Sequence, residues 1–155
     1  MNYAELCENI QNICENTFTA QELAMFTDQA EQKIYNTVQL PAIRKNVTGT
    51  MTAGNKYVGC PSDFLYSYSM AAIDAAGNYL YLINKDVNFM REAYPNPSTT
   101  GLPKYYAIFG STTGSLNELS AIVAPTPNSS YGVELHYFYY PVSIVQGIVT
   151  TLGSV

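Results

Sequence analysis

The chain opens with apolar residues at helical spacing. Tyr3, Leu6, Cys7, Ile10, Ile13 and Cys14 recur at i, i+3, i+4 and i+7 intervals, which predicts an amphipathic helix over residues 2–15. Glu5, Glu8 and Glu15 fall on the opposite face. After a break at Asn16-Thr17-Phe18, Thr19-Ala20-Gln21-Glu22 has the form of a capping box, in which a hydroxyl and a carboxylate satisfy each other's backbone donors. A second helix is predicted over residues 20–38, with Leu23, Phe26, Ala30, Ile34 and then Thr37 or Val38 as its buried stripe. Met25 and Tyr35 fall outside that stripe, beside Asp28 and Gln32. Each is either an ordinary exposed apolar residue or part of a subunit contact. Pro41 ends the helix.

From Arg44 the period changes from 3.6 to 2. Val47 and Met51 alternate with Asn46, Thr48, Thr50 and Thr52, as in a half-buried strand over residues 45–52. Ala53-Gly54-Asn55 reads as a hairpin turn into a strand at 56–60. Strands follow at 65–73 and 79–83, joined by a turn at 74–78. A short helix at 85–93 is capped by Asn84, with Val87, Met90 and Arg91 on successive turns, and ends before Pro95 and Pro97. Further strands are expected at 104–109, 119–124 and 131–140. In the last, Tyr131, Val133, Leu135, Tyr137 and Tyr139 line one face, while Glu134, His136, Phe138 and Tyr140 share the other. The fold class is α+β: an N-terminal helical hairpin packed on an antiparallel β-sandwich or barrel-like domain. The expected organisation is one domain, 1–155, comprising a hairpin (1–39), a β-rich body (40–141) and a C-terminal tail (142–155).

Composition changes this picture mainly by what it disfavours. Fourteen of 155 residues are tyrosine, one is histidine, and charged residues make up 12%. Tyrosine offers a large contact area with a polar tip, which suits partly wet interfaces. Proton-transfer chemistry needs histidine or clustered carboxylates. The balance favours binding by surface over catalysis. A net charge of −5 with seven dispersed basic residues disfavours a phosphate-gripping surface. Cys7, Cys14 and Cys60 have no paired spacing of a zinc site and read as reduced thiols. The N-terminal residues have no signal-peptide pattern and no apolar run reaches membrane-spanning length, so a soluble protein of a cytoplasm is expected, with no cofactor and no metal.

Candidate chemistry is sparse. His136 sits mid-strand; Cys60-Pro61-Ser62-Asp63 holds reactive residue types without a nucleophile motif. Asp63 with Asp74, or Glu92 with Asp86, could serve as glycosidase carboxylates only by assumption. Glycine-rich phosphate loops are missing, and the sequons at Asn46 and Asn128 mean nothing without a secretory signal.

Several stretches carry a resemblance. Glu31-Gln32-Lys33-Ile34-Tyr35 leads into Leu40-Pro41-Ala42-Ile43-Arg44-Lys45-Asn46-Val47-Thr48-Gly49-Thr50. Pro61-Ser62-Asp63-Phe64-Leu65, Asn84-Lys85-Asp86-Val87-Asn88-Phe89-Met90-Arg91-Glu92-Ala93-Tyr94-Pro95 and Pro103-Lys104-Tyr105-Tyr106-Ala107 follow. Near the end come Ala124-Pro125-Thr126-Pro127 and Val133-Glu134-Leu135-His136-Tyr137. In this order they resemble the head-to-tail adaptor proteins of tailed bacteriophages, of the marine phage and cyanophage type.

The resemblance implies a structural, non-enzymatic virion protein of the neck, assembled in the host cytoplasm. It implies a homo-oligomeric ring, usually of twelve subunits, below the portal protein. Such a ring extends the DNA channel and gives a platform to a tail or nozzle protein, with genomic DNA passing unbound and no membrane involved. Candidate subunit or partner contacts are Met25, Tyr35, Tyr94, Pro95, Pro103, Tyr137, Tyr139 and Tyr140, and Glu5, Glu8 and Glu15 are a candidate acidic channel face. Members commonly continue past a Tyr-Tyr-Pro segment into a helical arm that embraces the portal. Residues 148–154 lack a helical period, so either this member is short or the chain continues. In a short member the N-terminal hairpin or the segment after Pro141 would dock on the portal. Two other readings compete: a β-sandwich carbohydrate- or receptor-binding virion module, and a small hydrolase using Cys60 or Asp63 with His136.

Overall fold

A computed structural model describes residues 2–110 and 119–146. The expectation for residues 148–154 lies outside them. The chain divides into two compact units, one running to Pro41 and resumed from Tyr140, the other Ala42–Tyr139.

The first unit holds α1 (Tyr3–Cys14) and α2 (Ala20–Thr37). Both begin with capping boxes, because each offers a short polar side chain three residues before a glutamate. Asn2 Oδ1 accepts from Glu5 N at 2.9 Å and Asn2 N donates to Glu5 Oε2 at 3.0 Å. Thr19 Oγ1 accepts from Glu22 N at 3.3 Å and Thr19 N donates to Glu22 Oε2 at 2.8 Å. α1 ends where Glu15 takes the left-handed conformation, φ 49°.

The buried row of α2 differs from the predicted stripe. Leu23 and Thr27 are buried, whereas Phe26, Ala30, Ile34 and Val38 are exposed. Thr27 can be buried because its hydroxyl donates to the Leu23 carbonyl at 2.8 Å. The resumed chain also uses the polar groups of this helix. Tyr140 Oη donates to Asn36, Ser143 Oγ to Asp28 and the Ile144 N–H to Glu31, each at 3.0 Å. These polar groups are bonded yet stay at the surface, Asp28 and Asn36 being exposed and Glu31 half-buried.

The second unit begins within a 3₁₀ turn, Pro41–Ile43. Its strands are β1 (Arg44–Met51), β2 (Tyr57–Gly59), β3 (Phe64–Ile73), β4 (Tyr79–Asn84), β5 (Thr100–Gly101), β6 (Tyr105–Phe109), β7 (Ser120–Ala124), β8 (Thr126–Pro127) and β9 (Tyr131–Tyr139), with α3 (Val87–Ala93) between β4 and β5. Seven strands form a nearly closed, barrel-like sheet in the order β1-β9-β3-β4-β6-β7-β2. The chain is therefore α+β, as the patterning predicts. Most ladders are antiparallel, but β4 and β6 run parallel, Ile83 opposite Tyr105, as a strand–helix–strand crossover through α3 requires.

The predicted hairpin at Ala53-Gly54-Asn55 forms a turn but not a hairpin. β1 pairs with β9 and β2 with β7, so the turn separates the two edges of the sheet. Its donors are already engaged: Gly54 N–H with the Pro127 carbonyl, Asn55 N–H with Thr52, and Tyr57 N–H with Asn55 Oδ1. The edges face each other across a cavity of about 390 Å³ lined by Val47, Gly49, Val58, Cys60, Met70 and Leu135. Behind it lies the core, Met51, Phe64, Met70, Ala72, Leu82, Tyr106, Val123, Val133, Leu135 and Tyr137. A second, smaller ladder pairs β5 with β8, where a Cβ on Gly101 would sit 3.2 Å from the Pro125 ring, a tight approach.

Candidate interaction surfaces

Tyr137 and Pro103 do not present surface. Tyr137 is 4% exposed; its ring stacks on Phe64 with centroids 5.8 Å apart and its hydroxyl donates to Asp63 at 2.9 Å. It lies on the inward face of β9, so its contact area is spent on the core. Pro103 is fully buried where the chain enters β6. Phe138 corrects the pattern in the other direction. It belongs to the outward face, yet Tyr66 stacks on it at 4.4 Å and the Arg44 guanidinium lies 5.0 Å from its ring centroid, so both faces of β9 are covered there.

The other candidates keep some exposure. Met25 is 48% exposed on α2, while Tyr35 is half-buried. Tyr94 is half-buried against Tyr105 (centroids 6.3 Å apart), and Pro95 is exposed. Tyr139 is half-buried under Lys45, whose ammonium is 3.9 Å from the ring centroid. Tyr140 is partly exposed and anchored through Asn36. Glu5, Glu8 and Glu15 are all exposed, but Glu5 is held in the α1 cap.

The reactive residue types are occupied elsewhere. Cys60 packs against the barrel core, and burial pushes its thiol up to about 11, so it stays protonated at neutral pH. Burial works to raise the Asp63 carboxyl, but hydrogen bonds from Lys45 (2.7 Å) and Tyr137 outweigh it and hold the group below the ordinary aspartate value. Burial, then Asp63, pushes the Tyr137 phenol up to about 12. His136 Nε2 lies 3.5 Å from Glu134. No hydrogen bond joins any two of Cys60, Asp63 and His136 among the described residues. Asp74 accepts the Ala76 and Asn78 N–H groups in the β3–β4 turn, and Asp86, not Asn84, caps α3 by accepting from Asn88 at 2.7 Å.

The surface that the sequence reading missed lies on β4. Tyr79, Tyr81 and Ile83 alternate outward and are 49%, 72% and 56% exposed, while Leu82 points into the core. The signal was available: Tyr79-Leu80-Tyr81-Leu82-Ile83 is apolar at both parities, and such a strand needs cover on both faces. The barrel covers Leu82 on one of them, while Leu80 on that same face stays 38% exposed. Among the described residues no helix is long and apolar enough to cross a membrane, and no group of three or more His, Cys, Asp or Glu could hold a metal ion.

A charge-poor barrel with an uncovered aromatic strand face describes a protein organised around contact area. Comparison with known families agrees: residues 1–151 match the family model described as SU10 adaptor protein. The chain belongs to that family of phage head-to-tail adaptors. It is a structural component of the virion at the head–tail junction, where the family associates with portal and tail proteins. Among curated proteins nothing matches.

Proposed function

We propose that this adaptor closes into a ring, with twelve subunits, below the portal, extends the DNA channel and carries the tail or nozzle protein. The observation that carries the reading is the outward face of β4, where Tyr79, Tyr81 and Ile83 stand exposed on a chain with only 12% charged residues. Contiguous exposed apolar area of this kind is the mark of a surface that another protein covers. A ring closes through heterologous contacts, one face of a subunit against a different face of the next. Met25, Tyr94, Pro95, Tyr139 and Tyr140 are the further exposed or half-buried positions available to such contacts. Glu8 and Glu15, with Glu5 in the cap beside them, supply an acidic face suited to a channel through which DNA slides without being held.

Native mass spectrometry of the purified protein, alone and mixed with its phage's portal protein, tests this. A ring, or a portal complex carrying one adaptor per portal subunit, is the expected result. A monomer indifferent to the portal would overturn the reading and point to the glycan- or receptor-binding alternative.

A further inference from the structure

The second unit encloses a cavity of about 280 Å³ between α3, the 94–99 loop and β7. Its floor is apolar and buried: Met90, Ile122, Val123 and Ala124. Tyr57 and Phe109 stand exposed at its rim. Lys56 and Arg91, two of the seven basic residues in an acidic chain, also line it, and among the described residues no Asp or Glu does. Neither cation makes an ion pair among the described residues; the Lys56 ammonium rests 5.4 Å from the Tyr57 ring centroid. Within the loop the Ser98 N–H donates to Asn96 Oδ1 at 2.9 Å, and the Thr126 hydroxyl makes a long contact, 3.4 Å, with the Pro97 carbonyl.

Size and charge narrow the occupant. At about 280 Å³ the cavity lies at the small end of ligand pockets, which run from roughly 300 to 1,000 Å³, and it has room for a bulky side chain. Interfaces are commonly anchored by such a residue in a preformed, desolvated pocket. Two cations without an ion pair among the described residues, beside an apolar hole, complement a carboxylate adjacent to the anchor, since charge-assisted bonds to a carboxylate are the strong ones. A nucleic acid strand would need a longer track of cations than these two.

We infer that this cavity is an anchor site for a partner protein. It takes one large apolar side chain of an acidic segment, whose neighbouring carboxylate is held by Lys56 and Arg91. The site stands whether or not the chain forms a ring.

Fluorescence anisotropy with fluorescein-labelled six-residue peptides tests it on the full chain in any oligomeric state. The probes carry a central Phe-Asp, Phe-Asn or Ala-Asp flanked by glycines, and a hexathymidylate serves for nucleic acid. The Phe-Asp peptide is expected to bind about tenfold tighter than either peptide variant, the discrimination that one charge-assisted bond or one buried ring supplies. Lys56→Gln and Arg91→Gln should each erase the Asp-over-Asn preference while the thermal melt stays that of the parent. Arg91 is exposed, so R91Q carries the test even if K56Q folds poorly. No peptide binding at millimolar concentration, equal binding of Phe-Asp and Phe-Asn, a preference surviving both substitutions, or binding of the oligonucleotide alone would each overturn the proposal. A protein found monomeric by mass spectrometry would leave a positive result intact.

Discussion

At Asp63 a carboxylate that reads in sequence as a catalytic candidate turns out to be a structural tie. It accepts from Lys45 on β1 and from Tyr137 on β9, and Lys45 in turn lies over Tyr139. The sign of its pH effect follows from its lowered pKa. The ionised form is the one favoured by folding, so its contribution is complete above the ordinary aspartate value of about 3.9 and is lost as pH falls through the lowered one. The ion pair is partly exposed, so its worth is small, about 0–1 kcal/mol. Asp63→Asn should therefore lower Tm slightly at neutral pH, and the gap should begin to narrow as pH is taken below the ordinary aspartate value of about 3.9. Thermal melts across that range check it; parallel curves for the two proteins would show that Asp63 carries no linkage. Tyr137 answers on the alkaline side: with its phenol held up to about 12, it stays protonated where exposed tyrosines ionise.

Helices and strands were legible to the extent that local chemistry decides them. The Thr19–Glu22 box is such a case: the spacing alone predicts the cap, and both of its reciprocal bonds form. Thr19→Ala should cost about 1 kcal/mol in the first unit, as cap losses do, and Thr19→Ser should restore most of it. Chemical denaturation followed by far-ultraviolet circular dichroism reads both, and an unchanged midpoint for the alanine variant would remove the cap from the account. Strand existence was equally legible, since alternation at Val133, Leu135 and Tyr137 marks an inward face without knowledge of the partner strand. Partnering was not. The Gly54 turn looks like a hairpin, yet whether β1 pairs with β2 or with β9 depends on residues some eighty positions away. The orientation of α2 was hidden for the same reason. Periodicity marks Leu23, Phe26, Ala30 and Ile34 as the apolar stripe, but of these only Leu23 is buried, beside Thr27, while Tyr140, Ser143 and Ile144 bond to Asn36, Asp28 and Glu31 elsewhere on the helix. The missed two-residue strands β5 and β8 have no period to detect.

For the whole molecule the question is which faces remain after the fold has used its apolar residues. Most tyrosines nominated from sequence as contacts are wholly or partly consumed by the chain itself, Tyr137 completely and Tyr94 and Tyr139 in part. The β4 face is different, because folding buries Leu82 and leaves Tyr79, Tyr81 and Ile83 outward. A residue that is mostly exposed contributes little to the stability of the isolated subunit, so its replacement should be nearly silent in a melt, within about 0.5 kcal/mol. If the same residue anchors a subunit contact, replacement should be costly to assembly, because interface energy concentrates in a few aromatic anchors. The two effects separate cleanly in Tyr81→Ser combined with Ile83→Ser. Under the ring reading this double variant melts like the parent as a subunit but yields monomer where the parent yields ring, or fails to load onto the portal. Native mass spectrometry and a thermal melt on the same preparation decide it. A variant that assembles normally would move the contact to another face, with Met25 and the Tyr94-Pro95 segment next in line. A variant that melts early would show that the β4 face already has cover within the subunit, which its 72% exposed Tyr81 argues against.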